Sequence, residues 1–320
     1  MKNFWQDLKK PIIGLSPMDG VTNEPMRQIQ VSIAKPDVFY TEFVQVEGYS
    51  RKPKVFQNIL AFKKNEHPIV TQVVGCTPND FAKSIKEIME MGFDGIDINM
   101  GCPNKDVVQR GAGGALIGNF KLAEEIIKIA LETIDNKLPL SVKTRIGLDK
   151  PITEEWISFL SQFPLQEITI HGRLVKQFHS GPVNWEEIGK GSEILKKKNI
   201  ICLGNGGIKN RKQGEEKSKE YNLDGVLIGQ AAIGNPWVFR EDYLSRASKE
   251  EILETILKHG KIANDFFGEK RYATVLKHYA KYPKGFKYCK GLRMNLLKTR
   301  SFEEAKKVIE EFTKEGFASD

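Results

Sequence analysis

Cysteine is scarce in this sequence, and its few copies are not arranged as a metal site or a disulfide framework needs. Cys76, Cys102, Cys202 and Cys289 are scattered over 320 residues, without a Cys-x-x-Cys pair or a Cys/His cluster. Structural zinc sites require such close spacing, and disulfide frameworks are typical of short secreted chains. We therefore expect no metal site and a reducing compartment.

Long hydrophobic runs are also missing. No window approaches the roughly 20 apolar residues of a membrane-spanning helix. Residues 1–10 are mixed and charged, unlike the apolar core of a signal peptide. The sequence therefore predicts a cytoplasmic protein without a membrane partner. With 40% hydrophobic and 28% charged residues, it can bury a full core and fits one large domain plus a small one.

Acidic residues are absent from one basic stretch, residues 270–300, which holds ten Lys or Arg and no Asp or Glu. The formal net charge is +8, so the rest of the chain is close to neutral. Basic and aromatic residues interleave in this stretch: Lys277, Lys281, Lys284, Lys287 and Lys290 with Tyr272, Tyr279, Tyr282, Phe286 and Tyr288. Such a stretch is more often a solvated face, but solvated faces normally carry acids as well. Cations beside flat rings favour a nucleic acid as partner.

Short apolar runs alternate with longer amphipathic stretches along the first three quarters of the chain. The predicted strands are 12–15, 38–40, 69–74, 96–98, 140–142, 168–170, 200–203 and 226–228. Predicted helices between them include 79–91, opened by Thr77 or Asn79, and 122–134. Eight strand-then-helix units in this length predict an α/β fold, a (β/α)8 TIM barrel, rather than an open doubly wound sheet.

The alternation stops after Trp237, and residues 248–267, 273–281 and 302–312 have helical patterns. We therefore predict a catalytic barrel domain over 1–244 and a smaller helical domain over 245–320. No Gly/Ser linker separates them, so the two parts are expected to pack together.

Polar residues follow the predicted strands, where the active site of a barrel lies. In chain order they are Ser16-Pro17-Met18, Glu42, Gln72, 99–102, Lys143 and Arg145, His171 and Arg173, 204–207, and Gly229-Gln230. Cationic side chains are costly to bury unless they are paired or bind a ligand. Their convergence predicts an anionic ligand.

Cys102 lies in the segment Asn99-Met100-Gly101-Cys102-Pro103, directly after a buried strand. A free cysteine is most often a small buried hydrophobe. Here Gly101 allows close approach of the backbone to a ligand and Pro103 restrains the chain beyond. The segment therefore favours a functional thiol.

Two glycine clusters follow the seventh and eighth predicted strands, at 204–207 and 229–232. In barrels these loops commonly bind phosphate through backbone N–H groups. A third cluster, 111–114, lacks the strand and helix context of a dinucleotide fingerprint. We interpret it as a tight turn that shapes the Cys102 loop.

Together these motifs resemble the flavin-dependent dihydrouridine synthases, which reduce uridines in tRNA. The matching stretches, from about residue 11 to 300, include Ser16-Pro17-Met18, Gly20-Val21-Thr22, 99–103, 111–113, 142–145, His171-Gly172-Arg173, Gly204-Asn205-Gly206, Gly234-Asn235-Pro236-Trp237, Lys277-His278 and Arg293. Three positions depart from the common pattern: Asp19 replaces an alanine, Gly207 an aspartate and Gln230 an arginine.

The resemblance implies an FMN-containing barrel, NADPH as the reductant, a helical tRNA-binding domain, and reduction of the uracil C5=C6 bond with Cys102 as the proton donor. The implied flavin contacts are Ser16, Pro17, Met18, Gln72, Lys143, His171, Asn205, Gly206, Gly207, Gly229 and Gln230. The implied RNA contacts are Asn99, Arg145, Arg173, Lys277, Lys284, Lys287, Lys290 and Arg293. We expect the protein to act as a monomer.

The chemistry fits these residue types. A thiol with a pKa near 8.5 is protonated at neutral pH and can donate a proton to the ring. Lys143 suits the negative charge of reduced flavin, although an ion pair with Glu42 or Asp97 is the alternative. His171 contacts the cofactor or satisfies a core hydrogen bond. The remaining candidates His67, His179 and His259 are interpreted as surface or structural residues.

Other functions remain open from the sequence alone. Ribosomal RNA is an alternative substrate for the same chemistry. An FMN barrel reductase acting on a small pyrimidine or enone explains the strand ends but not the acid-free basic stretch. A non-catalytic RNA-binding protein explains the basic stretch but not Cys102, Lys143 and His171.

Overall fold

The computed structural model describes residues 3–242 and 247–316. Its eight strands form one parallel sheet in the order β1-β8-β7-β6-β5-β4-β3-β2. The strands are β1 Ile12–Leu15, β2 Phe39–Gln45, β3 Ile69–Val74, β4 Gly95–Met100, β5 Leu140–Arg145, β6 Glu167–His171, β7 Ile201–Asn205 and β8 Gly225–Ile228. The two ends meet through the backbone, because Leu15 N–H donates to the Val38 carbonyl and Asp37 N–H to the Ile13 carbonyl, both at 3.0 Å. The predicted (β/α)8 barrel is confirmed.

Helices cover the outside of the barrel and build the C-terminal part. The α-helices are α1 Glu24–Ile33, α2 Val46–Tyr49, α3 Gln57–Leu60, α4 Pro78–Met89, α5 Lys105–Gln109, α6 Phe120–Ile134, α7 Thr153–Leu160, α8 Trp185–Lys196, α9 Arg211–Glu220, α10 Lys249–Phe267, α11 Leu276–Tyr279, α12 Cys289–Leu296 and α13 Phe302–Gly316. Helix α4 begins one residue earlier and ends two residues earlier than predicted. Thr77 occupies its N-cap position without a side-chain capping bond.

Strand faces explain why polar residues recur inside these apolar runs. Side chains alternate between the two faces of a strand. In β4, Ile96 and Ile98 pack into the apolar layer beneath the helices, while Asp97 and Asn99 take the other face. Several strands continue past the predicted ends; β5, for example, extends to Arg145. The barrel interior near its C-terminal end is therefore polar.

The helical part has an apolar core of its own, which includes Ile256, Tyr279, Leu296 and Ile309. The predicted boundary at 244/245 lies outside the described residues, so the domain division stays a prediction. Helix α10 begins one residue after predicted, with Ser248 capping it. The predicted helix over 273–281 is wrong in detail: a 3₁₀ helix, Glu269–Val275, with a non-helical Arg271, precedes the short α11.

The helical part packs on the barrel, as expected from the lack of a flexible linker. Trp237 Nε1 donates to Glu251 Oε1 at 2.7 Å, and Lys277 Nζ donates to the carbonyl of Gly20 in the loop after β1. At the same junction Gly234 N–H donates to His278 Nδ1 at 3.4 Å. The helical part therefore contacts both the loop after β1 and the segment after β8.

At this junction, the position of Gly234 leaves no room for a side chain. Its φ is +58°, and an added Cβ would overlap the carbonyl oxygen of His278. Gly268 has a similar φ of +72°, with nothing within 4 Å of an added Cβ. We expect Gly234→Ala to lower the free energy of unfolding by about 2 kcal/mol more than Gly268→Ala, because only Gly234 adds overpacking to the backbone strain. Denaturant unfolding of both variants measures the difference, and equal losses would contradict it.

Candidate active site

A cavity of about 780 Å³ opens at the C-terminal ends of the strands. This volume lies within the range of ordinary cofactor sites. The predicted site residues that line it are Ser16, Pro17, Met18, Gln72, Asn99, Cys102, Lys143, Arg145, His171, Arg173, Asn205, Gly206, Gly207, Gly229 and Gln230. Residues up to 214 positions apart in the sequence thus meet in one site. Five predicted RNA contacts, Lys277, Lys284, Lys287, Lys290 and Arg293, lie in the helical part instead.

The loop that carries Cys102 is held by backbone hydrogen bonds. Asn99 Oδ1 accepts from the N–H of Gly101 at 3.0 Å and of Cys102 at 2.8 Å. Gly114 N–H donates to the Cys102 carbonyl at 2.9 Å. Gly113 has a φ of +58°, and an added Cβ would come within 3.0 Å of Cys102 Cβ. The glycine cluster at 111–114 therefore does form the turn that shapes the cysteine loop.

The Cys102 thiol is partly buried at the cavity wall. Burial raises its pKa above the ordinary value, while the backbone N–H of Asn104 and the charge of Arg145 act in the opposite direction without reversing the shift. The thiol is therefore protonated at neutral pH, which suits an acid and does not suit a nucleophile.

Lys143 lies on β5 and points into the cavity, where its Nζ donates to Asn205 Oδ1 at 3.1 Å. Burial lowers its pKa to about 8, and the charge of Arg145 adds to this, while the carboxyl groups of Asp97 and Glu167 act in the opposite direction. Its direct hydrogen-bond partner is thus an amide rather than the carboxylate of the predicted alternative. An ammonium held by a neutral partner keeps its charge available for an anionic ligand.

His171, at the end of β6, lies against Arg173 and Gly206. Burial, followed by the positive charges of Lys143 and Arg145, holds the pKa of His171 well below its usual range. The imidazole is therefore neutral, and its Nε2 accepts from Arg173 NH1 at 3.2 Å. The Nδ1 atom carries the proton in this arrangement.

The glycines after β7 leave space that a side chain would fill. Gly206 has a φ of +122°, and its added Cβ would lie 2.9 Å from the His171 ring. Gly207 has a φ of +71°. Asn205 Nδ2 donates to the Leu227 carbonyl at 2.8 Å, which joins this loop to β8 and its following residues Gly229 and Gln230. Bare backbone beside Lys143 fits a phosphorylated cofactor.

Two arginines of the cavity also hold its loops together. Arg145 Nε donates to the Gly101 carbonyl at 2.7 Å, and its NH1 donates to the carbonyls of Leu174 at 3.0 Å and Phe178 at 2.8 Å. Arg173 Nε donates to the Gly181 carbonyl at 3.0 Å. Arg145 therefore ties the cysteine loop to the loop after β6, in addition to lining the cavity.

Two residues of the cavity lining have no site role predicted from the sequence. His179 is exposed, as interpreted from the sequence, and it also lines the mouth of the cavity. The reason is that Arg145 binds two carbonyl groups of the loop after β6, which keeps this loop at the mouth of the cavity. Asp19 also lines the cavity, and burial raises its pKa while the charge of Lys277 opposes the shift. Asp19 directly follows Ser16-Pro17-Met18 and departs there from the family pattern, whereas no local pattern distinguishes His179.

The basic stretch is only partly the surface predicted. Lys284, Lys287 and Lys290 are exposed, and the Lys287 ammonium lies 4.9 Å from the centre of the Tyr288 ring, itself 56% exposed. However, Tyr272, Tyr279 and Tyr282 are buried in the core of the helical part, so the expectation that they offer stacking faces is wrong. Helical packing turns them inward, because large aromatic rings gain most from burial. Arg293 is half-buried and donates to the Pro283 carbonyl at 2.5 Å.

The family model described as "Dihydrouridine synthase (Dus)" matches residues 14–316 of this chain. The chain belongs to the dihydrouridine synthase family. As a member of this family it is a flavin-dependent oxidoreductase, as its motifs predicted.

Two curated relatives show how far the similarity extends. A probable tRNA-dihydrouridine synthase of Staphylococcus aureus (strain Mu50 / ATCC 700699) is 32% identical over 321 residues, covering 97% of this chain and 96% of that protein. The probable tRNA-dihydrouridine synthase 2 of Bacillus subtilis (strain 168) is 31% identical over 320 residues, covering 97% of each chain. Among solved structures, morphinone reductase superposes with a TM-score of 0.52 at 11% identity, covering 74% of this chain and 86% of that chain, and shows the fold alone.

Within residues 3–242 and 247–316, no helix is long and apolar enough to cross a membrane. The same residues contain no group of three or more His, Cys, Asp or Glu arranged to hold a metal ion.

Proposed function

We propose that this member of the dihydrouridine synthase family reduces the C5=C6 bond of uridines in tRNA, with FMN as its cofactor and NADPH as its reductant. The names of the curated relatives and the acid-free basic stretch support tRNA as the substrate. We further propose that the protein acts in the cytoplasm as a monomer.

The residues of the cavity suit FMN. Gly206, Gly207 and Gly229 would bind the phosphate through backbone N–H groups, and the Lys143 ammonium would face negative charge on the reduced ring. The remaining proposed flavin contacts are Ser16, Pro17, Met18, Gln72, His171, Asn205 and Gln230. Bound flavin would supply hydride to C6 of the uracil.

Cys102 then completes the reaction as the proton donor. The bond between Sγ and hydrogen breaks, the proton goes to C5 of the ring, and the thiolate takes a proton back from solvent. Asn99 holds the backbone of this residue, and Arg145 holds the carbonyl of the preceding Gly101. We assign Asn99, Arg145 and Arg173 to the substrate side of the cavity.

The target base must leave the RNA stack to enter the cavity. Lys284, Lys287 and Lys290 would neutralise phosphates on one face of the helical part, together with Lys277 near the mouth and Arg293. The helical part therefore holds the RNA backbone while the barrel addresses the extruded uridine.

The observation that carries the proposal is a thiol with a raised pKa, held by Asn99 and Gly114 at the wall of a cationic cavity. The test is nucleoside mass spectrometry of unmodified tRNA, unmodified ribosomal RNA and free uridine after incubation with protein, FMN and NADPH. We expect dihydrouridine in tRNA. Product only in ribosomal RNA would contradict the substrate, and no product in any of the three would contradict the reaction.

The pKa of Lys143 predicts how flavin affinity depends on pH. In the free protein this pKa is about 8, so the ammonium is charged below pH 8 and loses its charge above. The negative charge of the reduced ring would raise this pKa on binding, and affinity for reduced FMN should therefore fall about tenfold as pH rises from 7 to 9. Anaerobic titration with reduced FMN, followed by absorbance, measures this. Lys143→Met should bind reduced FMN more weakly with a flat profile, and a flat profile in the wild type would contradict the prediction.

A further inference from the structure

Three buried polar side chains form a chain of hydrogen bonds beneath the cysteine loop. Gln72 Nε2 donates to Asp97 Oδ2 at 2.7 Å, and Asn99 Nδ2 donates to Gln72 Oε1 at 2.9 Å. Asn99 Oδ1 then accepts from the backbone N–H groups of Gly101 and Cys102. All three side chains are buried. The chain therefore runs from the barrel interior to the thiol-bearing residue.

The direction of this chain depends on Asp97. Burial raises the pKa of Asp97 to about 6, which leaves the carboxyl group ionised at neutral pH and able only to accept hydrogen bonds. A carboxamide has one donor end and one acceptor end. The carboxylate therefore turns the NH₂ of Gln72 toward itself and its oxygen toward Asn99. This in turn directs the oxygen of Asn99 at the cysteine loop.

The opposite orientation would be unfavourable at the loop. With both amides reversed, the NH₂ group of Asn99 would face two backbone N–H donors, and these donors would lose their acceptor. Backbone N–H groups that lose their acceptor away from water are unfavourable, so the loop would move away from Asn99.

We propose that Asp97 is a positioning residue for the proton donor, which acts by setting the direction of the Gln72 and Asn99 amides and so fixing the backbone at Cys102. Asp97 itself is anchored on its other side, because Ser141 Oγ donates to Asp97 Oδ1 at 2.8 Å. The inference rests on the proposed function only for the task of the thiol, since the direction of the chain is a property of the protein alone.

Two substitutions of Asp97 separate direction from charge. In Asp97→Asn, the side-chain oxygen can still face Gln72 while its NH₂ donates to the hydroxyl oxygen of Ser141, so the direction of the chain is kept. In Asp97→Ala, nothing holds the NH₂ of Gln72, and both amide orientations become accessible. Gln72→Met breaks the chain at its middle and leaves the bond between Asp97 and Ser141 intact.

The first measurement is hydrogen exchange of the Gly101 and Cys102 amides in the full-length holoenzyme without RNA. We expect Asp97→Ala and Gln72→Met to speed exchange of these two amides about tenfold, and Asp97→Asn to stay within about twofold of wild type. The matched control is Glu167→Gln, at a buried carboxyl group of β6 whose Oε1 accepts from Thr169 Oγ1 at 2.6 Å. It should leave these amides unchanged.

The second measurement separates the two half-reactions. Asp97→Ala should lower dihydrouridine formation about tenfold relative to Asp97→Asn, with flavin reduction by NADPH equal in the two variants within about twofold, because both remove the charge that acts on Lys143. Exchange in Asp97→Asn as fast as in Asp97→Ala would overturn the inference, and so would unchanged exchange in both Asp97→Ala and Gln72→Met. If Asp97→Ala does not fold, the comparison of amide exchange in Gln72→Met with that in Asp97→Asn decides the inference.

Failure of the wild type to make dihydrouridine would contradict the proposed function. The exchange measurement would still test the direction of the hydrogen-bond chain.

Discussion

Replacing Cys102 by alanine is expected to lower dihydrouridine formation by a factor of about 10² to 10⁴, the usual contribution of a positioned acid. Cys102 has a protonated thiol at the cavity wall, and among the residues that line the cavity it is the only cysteine. Flavin content and flavin reduction should persist, because the substitution removes no group of the glycine loops or Lys143. Single-turnover reoxidation of reduced flavin by tRNA, with mass spectrometry of the product, measures the loss.

Cys76→Ala is the matched control for this prediction. Cys76 is also partly buried, its pKa is also raised by burial, and its backbone N–H donates to Glu47 Oε1 at 2.6 Å outside the cavity lining. Near-normal turnover is expected of this variant. Turnover by Cys102→Ala within a few fold of wild type would remove Cys102 from the role of acid and leave the flavin chemistry in place.

Replacing Lys284, Lys287 and Lys290 together by glutamine should weaken tRNA binding about a hundredfold at low salt. Each of these exposed lysines that pairs with a phosphate contributes up to about 1 kcal/mol, and three such contributions correspond to roughly a hundredfold in affinity. The three should also reduce the dependence of log affinity on log salt by about two units, because fewer counterions are released. Binding titrations over a series of salt concentrations measure both quantities, and flavin absorbance checks the barrel.

The control for this prediction removes the same number of lysine charges from a different face of the protein. Lys121, Lys128 and Lys137 are exposed on or beside α6, on the outer layer of the barrel, where Lys128 pairs with Glu124 at 2.6 Å. Glutamine at these three positions should leave the salt dependence nearly unchanged. If both triple variants lose affinity equally, the RNA responds to net charge rather than to the basic face of the helical part.

Tyr288 refines the expectation for the basic stretch. Its ring is exposed beside Lys287, whereas the other tyrosines of this stretch form part of the core. Cations beside one exposed ring suit contacts to the RNA backbone more than stacking of several bases. The effect of the three lysines should therefore depend strongly on salt and weakly on RNA sequence.

Much of the barrel was predictable because its signals are local. Runs such as 12–15 and 226–228 are apolar over the length of a buried strand, and polar side chains appear at or near the strand ends. The cysteine segment and the glycine loops likewise depend on neighbouring residues: Gly113 needs a positive φ next to Cys102, and Gly207 needs one beside the cavity. The burial pattern of a strand and the positions where glycine is needed can both be recognised from a few neighbouring residues.

The helical part was less predictable because its packing depends on contacts between residues that are far apart in the sequence. Tyr272 and Tyr282 lie in an acid-free basic stretch that indicates a solvated surface, and their burial depends on α10 and α13, which come from distant parts of the chain. His179 enters the cavity because Arg145 holds the loop after β6 through carbonyl contacts. No local pattern encodes such contacts.

The sequence by itself thus determined the strand-and-helix alternation, the chemical class of the cavity and the position of its thiol, since each follows from residue type and spacing within a few positions. Tertiary structure alone decided which side chains share a hydrogen bond. Strand register brings Asp97 of β4 beside Ser141 of β5 and Gln72 of β3. Only that register joins three separate stretches into one directed chain that ends at the Cys102 backbone.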